Sequence, residues 1–367
     1  MSSRVYFCDM RTEQGFGLLE KVEKLFDAAG LAQIVAPGAL VALKLHFGER
    51  GNTAYIRPPF IRRVVDKVKA AGGKPFLTDA NTMYKGFRAN SVDHLHTAVE
   101  NGFAYSVVGA PLIIADGLTG KEFISVPVNR KHFNEVKIGA AAHHADALIA
   151  ITHFKGHELT GFGGVLKNIG MGLGARSGKR QMHSDVKPVV QEALCVACGK
   201  CAEWCPAGAI TVTAEAAAID PAKCIGCGEC TVTCPGEAIE INWETSSEAA
   251  QEKIVEYAEG VLKPKKGKYG FITFITQVTP DCDCWTFSDA PVVRDIGILA
   301  GSDPVALDQA CVDLVNREPV LHGSRLDGLG PVEDKFGTLH PGVNWQRQLE
   351  YAEEIGLGSR KYELVAL

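Results

Sequence analysis

The run Leu40-Val41-Ala42-Leu43-Lys44-Leu45-His46-Phe47-Gly48-Glu49-Arg50-Gly51-Asn52 is a nearly continuous apolar strand that opens into a polar, glycine-bearing loop. Apolar residues at consecutive positions suit a strand covered on both faces, as in a parallel sheet between helices. Ala147-Leu148-Ile149-Ala150-Ile151 is written the same way, and Arg4–Cys8, Lys74–Thr78 and Gly270–Thr276 add further strand-like runs. Helical periodicity covers Gly17–Ala29, Pro59–Ala71, Val92–Gly102, Phe133–Ala142, Glu248–Leu262, Pro304–Val315 and Trp345–Ile355. Strands alternating with helices predict an α/β fold, a layered domain with a mostly parallel sheet.

In such a sheet, sites form in the loops beyond the carboxyl ends of the strands. Three strand-to-loop passages carry polar residues suited to that place. The first holds His46 and Glu49, the second Asp79 in Thr78-Asp79-Ala80-Asn81-Thr82, and the third His153 and His157 in Thr152-His153-Phe154-Lys155-Gly156-His157-Glu158. His153 and His157 are spaced to share one metal if their segment is helical, with His46, His183 and Glu49 available to complete the shell. The intervening Gly156 argues against that helix. The glycine-rich stretch that follows includes Gly161, Gly163 and Gly164, then Lys167 and Asn168. It is read as an anion or flavin-phosphate cradle, built from N–H groups and the lysine charge, or else as a tightly turning lid. It is neither a Walker A loop nor a Rossmann fingerprint.

A second signal lies in the cysteines. Cys195-x2-Cys198-x2-Cys201-x3-Cys205-Pro206 is repeated as Cys224-x2-Cys227-x2-Cys230-x3-Cys234-Pro235. This spacing is that of two [4Fe–4S] clusters in which the fourth cysteine of each run serves the other cluster. Cys195, Cys198, Cys201 and Cys234 are thereby assigned to one cluster, and Cys224, Cys227, Cys230 and Cys205 to the other. A single C-x2-C pair would read as zinc; two complete runs read as iron–sulfur. Ala209–Thr213 and Ala238–Asn242 follow the two runs with matching strand patterns, so the segment reads as two pseudosymmetric halves. Four cysteines remain. Cys8 and Cys311 fit buried apolar positions, whereas Cys282 and Cys284, in Asp281-Cys282-Asp283-Cys284-Trp285, are spaced for a redox pair or a third metal.

The 367-residue chain has net charge −5, which excludes a broad nucleic-acid surface. No apolar run is long enough to cross a bilayer, and the start MSSRVYFCDMRTEQG lacks a signal-peptide pattern. A cytoplasmic protein of an anaerobe is expected from the thiol-rich composition. The lysines at 263, 265, 266 and 268 read as a solvated linker. Asp303-Pro304 reads as a helix start, with Asp308 exposed or paired further along.

KLHFGERGN, KGHELTGFGGVLKNIGMGLGARSGK, MHSDVKP, TPDCDCW and ILAGSDPVALDQA together resemble the DUF362 family of iron–sulfur centre proteins. The resemblance spans almost the whole chain. It implies an iron–sulfur protein and carries over no substrate. The expected organisation is a host domain of residues 1–190 and 244–367, interrupted by a small α+β ferredoxin-like domain at 191–243. The expected function is an iron–sulfur redox protein. It relays electrons between a partner protein and a host site of His46, Asp79, His153, His157, Lys167, Asn168, Cys282 and Cys284. Two alternatives accompany it: a non-catalytic electron-transfer subunit whose acidic Glu192, Glu203, Glu229 and Glu237 steer a basic partner, and a metal-dependent non-redox enzyme with structural clusters.

Overall fold

Eight strands form one sheet. They are β1 (Ser3–Asp9), β2 (Leu40–Lys44), β3 (Lys74–Asp79), β4 (Leu112–Ile114), β5 (Ala147–His153), β6 (Tyr269–Ile275), β7 (Gly297–Gly301) and β8 (Tyr362–Ala366). Their order is β8-β1-β7-β6-β5-β2-β3-β4. β7 runs antiparallel to both its neighbours, while every other pairing is parallel. The computed structural model describes all residues except 1, 85, 184–187, 225–228, 241–246 and 266, and the backbone alone at 229 and 232.

The sheet is the middle of three layers. On one face Val41, Leu43, Leu77, Ile149, Ile151 and Ile272 pack against helices α1 (Leu18–Ala28), α2 (Pro58–Ala70) and α3 (Ser91–Glu100). On the other, Ala42, Phe76, Leu148, Ala150 and Phe271 meet α4 (Val165–Leu173), α6 (Ser247–Leu262) and α7 (Pro304–Arg317). α5 (Arg176–His183) follows α4 directly and packs on α6. Successive strand residues point to opposite faces, so both layers draw on the same apolar runs. α7 begins as its sequence predicts: Asp303 accepts the Val305 and Ala306 N–H groups at 2.9 and 3.0 Å, with Pro304 in the first turn.

Three readings are corrected. The helix expected at Phe133–Ala142 is a strand, Glu135–Gly139, paired with Phe123–Pro127 and followed by a short helix, Ala140–His144. Buried Val136 and Ile138 alternate inward there, and this period of two overrides the helical pattern. The lysine stretch is not a solvated linker throughout, for Lys265 is buried and donates to the carbonyls of Ala142, His143 and Ala145 at 2.6–2.8 Å. These acceptors lie at the end of that short helix, where a cation satisfies orphan carbonyls. The glycine-rich lid is regular structure, a strand at Gly161–Gly163 followed by α4 and α5. Its glycines let helices meet: a Cβ at Gly170 would overlap the Ile254 carbonyl of α6.

The cysteine-rich segment has its own small apolar cluster of Cys201, Ile210, Ala217, Cys230 and Ile239. Among the described residues no helix is long and apolar enough to cross a membrane.

Candidate functional site

β2, β3 and β5 end on the same side of the sheet, with Lys44, Asp79 and His153 as their last residues and β5 running three residues past Ala150, the partner of Lys44. Lys44 follows Ala42 by two, so strand alternation turns it toward α4. Its ammonium lies 3.0 Å from Asp79 Oδ1 and donates to Asn168 Oδ1 at 2.8 Å and to the Leu45 carbonyl at 3.1 Å. The Asn168 amide donates in turn to Thr152 Oγ1 at 2.9 Å. Arg88 joins Glu49 at 3.1 Å and Tyr84 Oη at 2.8 Å, and lies 3.9 Å from Asp79. Lys44, Asp79, Arg88 and Glu49 are all buried. Burial opposes the charge on Asp79, yet Lys44 and the surrounding cations prevail and hold its carboxyl well below the usual range. Burial lowers Lys44, His46 and His94, the last to about 3, so both imidazoles are neutral. At the far side burial lifts Asp116 to about 6 and drops Lys179 to about 8.

A second group forms where β5 and β6 end. Asp283 is fully buried; it meets His153 Nδ1 at 2.8 Å and Lys155 at 3.3 Å. His153 Nε2 faces the Thr276 carbonyl at 2.8 Å. Both ring nitrogens therefore face oxygen acceptors, and His153 offers no lone pair to a metal. The shared His153–His157 metal site is thus not formed. The segment is instead a strand, Lys155–His157, whose Gly156 passes so close to the Pro280 carbonyl that a Cβ would overlap it.

The third group holds the thiols. One ligand atom each of His157, Cys282 and Cys284 lies within 4.8 Å of the other two. The two cysteines lie in a reverse turn closed by the Trp285 N–H on the Cys282 carbonyl at 3.2 Å. Lys167 Nζ donates to Cys282 Sγ at 3.1 Å. The hydrogen bond from Cys284, helped by Lys167 and His157 against burial, pulls Cys282 well below the usual thiol range. The same sharing, with burial, pushes Cys284 up. The shared proton is thereby biased toward Cys284. Soft sulfurs with an imidazole suit zinc, iron, copper or nickel. A metal-bound imidazole normally donates its other N–H to an acceptor. His157 Nδ1 instead accepts the Leu159 N–H at 3.1 Å, which leaves Nε2 as the ring nitrogen for the hydrogen bond with Cys282.

The glycine cradle is filled by protein. A Cβ at Gly161 would overlap Trp345, and Gly163 borders the Lys155 and Lys167 side chains. Gly164 lies against Asp308, whose carboxylate accepts the Val165 and Leu166 N–H groups at 2.7 and 3.0 Å. The acceptor at the start of α4 is thus the protein's own carboxyl, which burial lifts to about 7, and Lys167 serves sulfur. Asp308 is fully buried and paired to backbone.

In the cysteine-rich segment, backbone N–H groups point at sulfur. Ala209 donates to Cys205 at 3.2 Å, Ala238 to Cys234 at 3.3 Å, and Ala217 to Cys195 at 3.4 Å. The first two bonds span equivalent positions of the repeat. So do the left-handed residues Gly208 and Glu237, at φ 56° in both. Cys201 and Cys230 are buried together, Cys198 and Cys224 lie nearer solvent, and Cys227 is outside the described residues. Lys121 of the body lies over the Trp204 ring, 3.1 Å from its centroid.

Sequence reasoning missed Lys44, Arg88, Lys155, Asp283, His94 and Lys179. Lys44 and Asp283 had a signal, a charge inside an otherwise apolar or cysteine-paired run, which demands a buried partner. Arg88 had none.

The site and layers define an α/β protein with a closed, charge-paired centre and a thiol pair at its rim. The chain belongs to the DUF362 family, described as a domain of unknown function, whose profile matches residues 41–313. None of the curated proteins compared matches it. Among solved structures, the lactate racemase apoprotein from Thermoanaerobacterium thermosaccharolyticum is similar at 12% identity and TM-score 0.42, covering 83% of this chain and 56% of that one. A Thermotoga maritima protein is similar at 13% identity and TM-score 0.35, covering 80% of this chain and 58% of that one. The chain spans less than two thirds of either.

Proposed function

We propose that this DUF362 protein is an iron–sulfur redox protein. Residues 191–243 form its ferredoxin-like unit, and two [4Fe–4S] clusters there exchange electrons with the Cys282–Cys284 centre. The carrying observation is position: the thiol pair lies where both connections to the cysteine-rich segment leave the body. His183, the last described residue before 184–187, has its imidazole depressed to about 3 by burial, with His157 and Lys167 close enough to add to it. Ser247, the first after 241–246, donates to the Leu159 carbonyl at 2.7 Å, and Leu159 holds His157 through its N–H.

The segment suits clusters on two grounds. Backbone N–H groups already aim at cysteine sulfurs, the interaction that tunes cluster potentials. The turns of the two halves match although their sequences differ between Gly208 and Glu237. Clusters bound there would supply one-electron transfer. The body's residues do the rest: Lys167 holds Cys282 as thiolate, His157 presents a proton to sulfur, and Asp283, clamped by His153 and Lys155, fixes the turn. Exposed Glu192, Glu203 and Glu237 give the segment an acidic surface for a basic redox partner. The cytoplasm is the compartment this chemistry requires. A metal-dependent, non-redox enzyme is the second reading, favoured by the close approach of one imidazole and two sulfurs.

Anaerobic analysis of the purified full chain for iron, sulfide, zinc, nickel and flavin tests the proposal. About eight iron and eight sulfide per chain, with a reducible paramagnetic signal, are expected. Iron-free protein carrying zinc in the cysteine runs would sink it.

A further inference from the structure

We infer that Cys282 and Cys284 form a two-electron dithiol–disulfide couple that exchanges with an external disulfide through Cys284. The inference rests on the redox reading above and gives that site its substrate class.

The geometry of the turn is the first ground. The Cys282–Trp285 turn folds two sulfurs, one residue apart, to within 4.8 Å, and neither is in a disulfide. The turn is held from outside the pair. Asp283, between them, is fixed by His153 and Lys155; its carbonyl accepts the Glu49 N–H at 3.1 Å; the Cys284 carbonyl faces Tyr84 Oη at 3.4 Å.

The asymmetry of the pair is the second. Cys282 is 2% exposed and bears Lys167, whose hydrogen bond among the described residues goes to sulfur and to no carboxylate. A half-buried ammonium so placed favours a charged partner. Cys284 reaches the rim, beside exposed Trp285 and Phe287, whose rings pack at 5.9 Å. Lys167 thus favours the thiolate on the inner sulfur, and Cys284 is the less buried residue of the two. The proton on His157 Nε2 faces sulfur rather than yielding a lone pair, which favours thiol chemistry over a metal.

The exchange balances. Cys284 gives its proton to the Cys282 thiolate and attacks an external disulfide; a Cys284–sulfur bond forms, the external bond breaks, and the departing thiolate takes that proton. Cys282 then attacks Cys284, and the second external sulfur leaves as thiolate, protonated by solvent. One external disulfide has become two thiols and the pair a disulfide. Two electrons, one from each reduced [4Fe–4S] cluster, and one proton return the pair to thiolate and thiol.

The test uses the full chain, purified anaerobically and equilibrated in buffers of reduced and oxidised dithiothreitol, then alkylated with iodoacetamide. Trypsin releases residues 269–294 as one peptide whose only cysteines are Cys282 and Cys284. We expect two alkyl groups at the reducing end, none at the oxidising end, and a transition of about 30 mV per decade, the slope of a two-electron couple. Cys284→Ser should keep one alkyl group throughout, and Cys282→Ser checks the same point from the other side. Two alkyl groups across the whole range, or sulfurs blocked by stoichiometric zinc or nickel until a chelator is added, would overturn the couple. Iron and sulfide counted on the same sample separate the claims. Full clusters beside an inert pair defeat the couple alone; a reversible pair without iron defeats the cluster reading alone.

Discussion

The two thiol-bearing regions are built in opposite ways. The cysteine-rich segment gathers its sulfurs from neighbours in sequence around an apolar cluster of five buried residues, two of them cysteines. So small a core does not hold a fold by itself, and units of this size lean on metals or disulfides. The rim of the sheet gathers Lys44, Asp79, His157, Lys167 and Cys282 across most of the chain, on a framework with two large apolar layers. Bound groups should therefore be structural in the first region and dispensable for folding in the second.

Cys201→Ser offers the largest effect. It should remove about half the iron and unfold the small segment, leaving the main thermal transition of the sheet in place. Loss of both transitions together would end the comparison. Asp79→Asn comes next: it leaves buried Lys44 unpaired and should cost about 3–5 kcal/mol in urea unfolding without changing iron content. A cost under about 1 kcal/mol would show that water reaches the pair. Gly170→Ala, forced against the Ile254 carbonyl, should cost about 1–3 kcal/mol, read by the same unfolding curve. Lys167→Met should slow alkylation of Cys282 near pH 7 by about tenfold or more, with little change in melting. An unchanged rate would detach the lysine from the thiolate.

The smallest effect is on pH. Asp79 and Asp283 have carboxyls held below their unfolded values by neighbouring cations. The folded chain then binds fewer protons than the unfolded one in acid. Their contribution is complete above about pH 4 and is lost as pH falls toward the folded values. Urea midpoints should fall below about pH 4, and Asp283→Asn should flatten that limb. Midpoints that stay level to about pH 3 would contradict the ion pairs.

The layered sheet was legible because β2 and β5 are apolar on successive positions, a pattern that only two-sided burial explains. The helix misread at Phe133–Ala142 shows the limit, since Phe133 and Val136 are spaced for a helix while Val136 and Ile138 are spaced for a strand, and the strand partner at Phe123–Pro127 decided between them. The glycines after Gly161 were visible as a cluster but not as contacts. Whether a glycine faces a phosphate or another helix depends on what packs there, and here Asp308, 144 residues beyond Gly164, takes the anion's place.

By itself, then, the sequence determined what is local: the strand and helix periods, the cap at Asp303, and the doubled cysteine spacing, since bond geometry and ligand spacing act over a few residues. Tertiary structure alone decided what is distant. It turned His153 from metal ligand to ion-pair partner and Lys167 from anion clamp to thiolate partner. It drew Arg88 and Lys44 into one buried network, because charges removed from water must find each other wherever in the chain they lie.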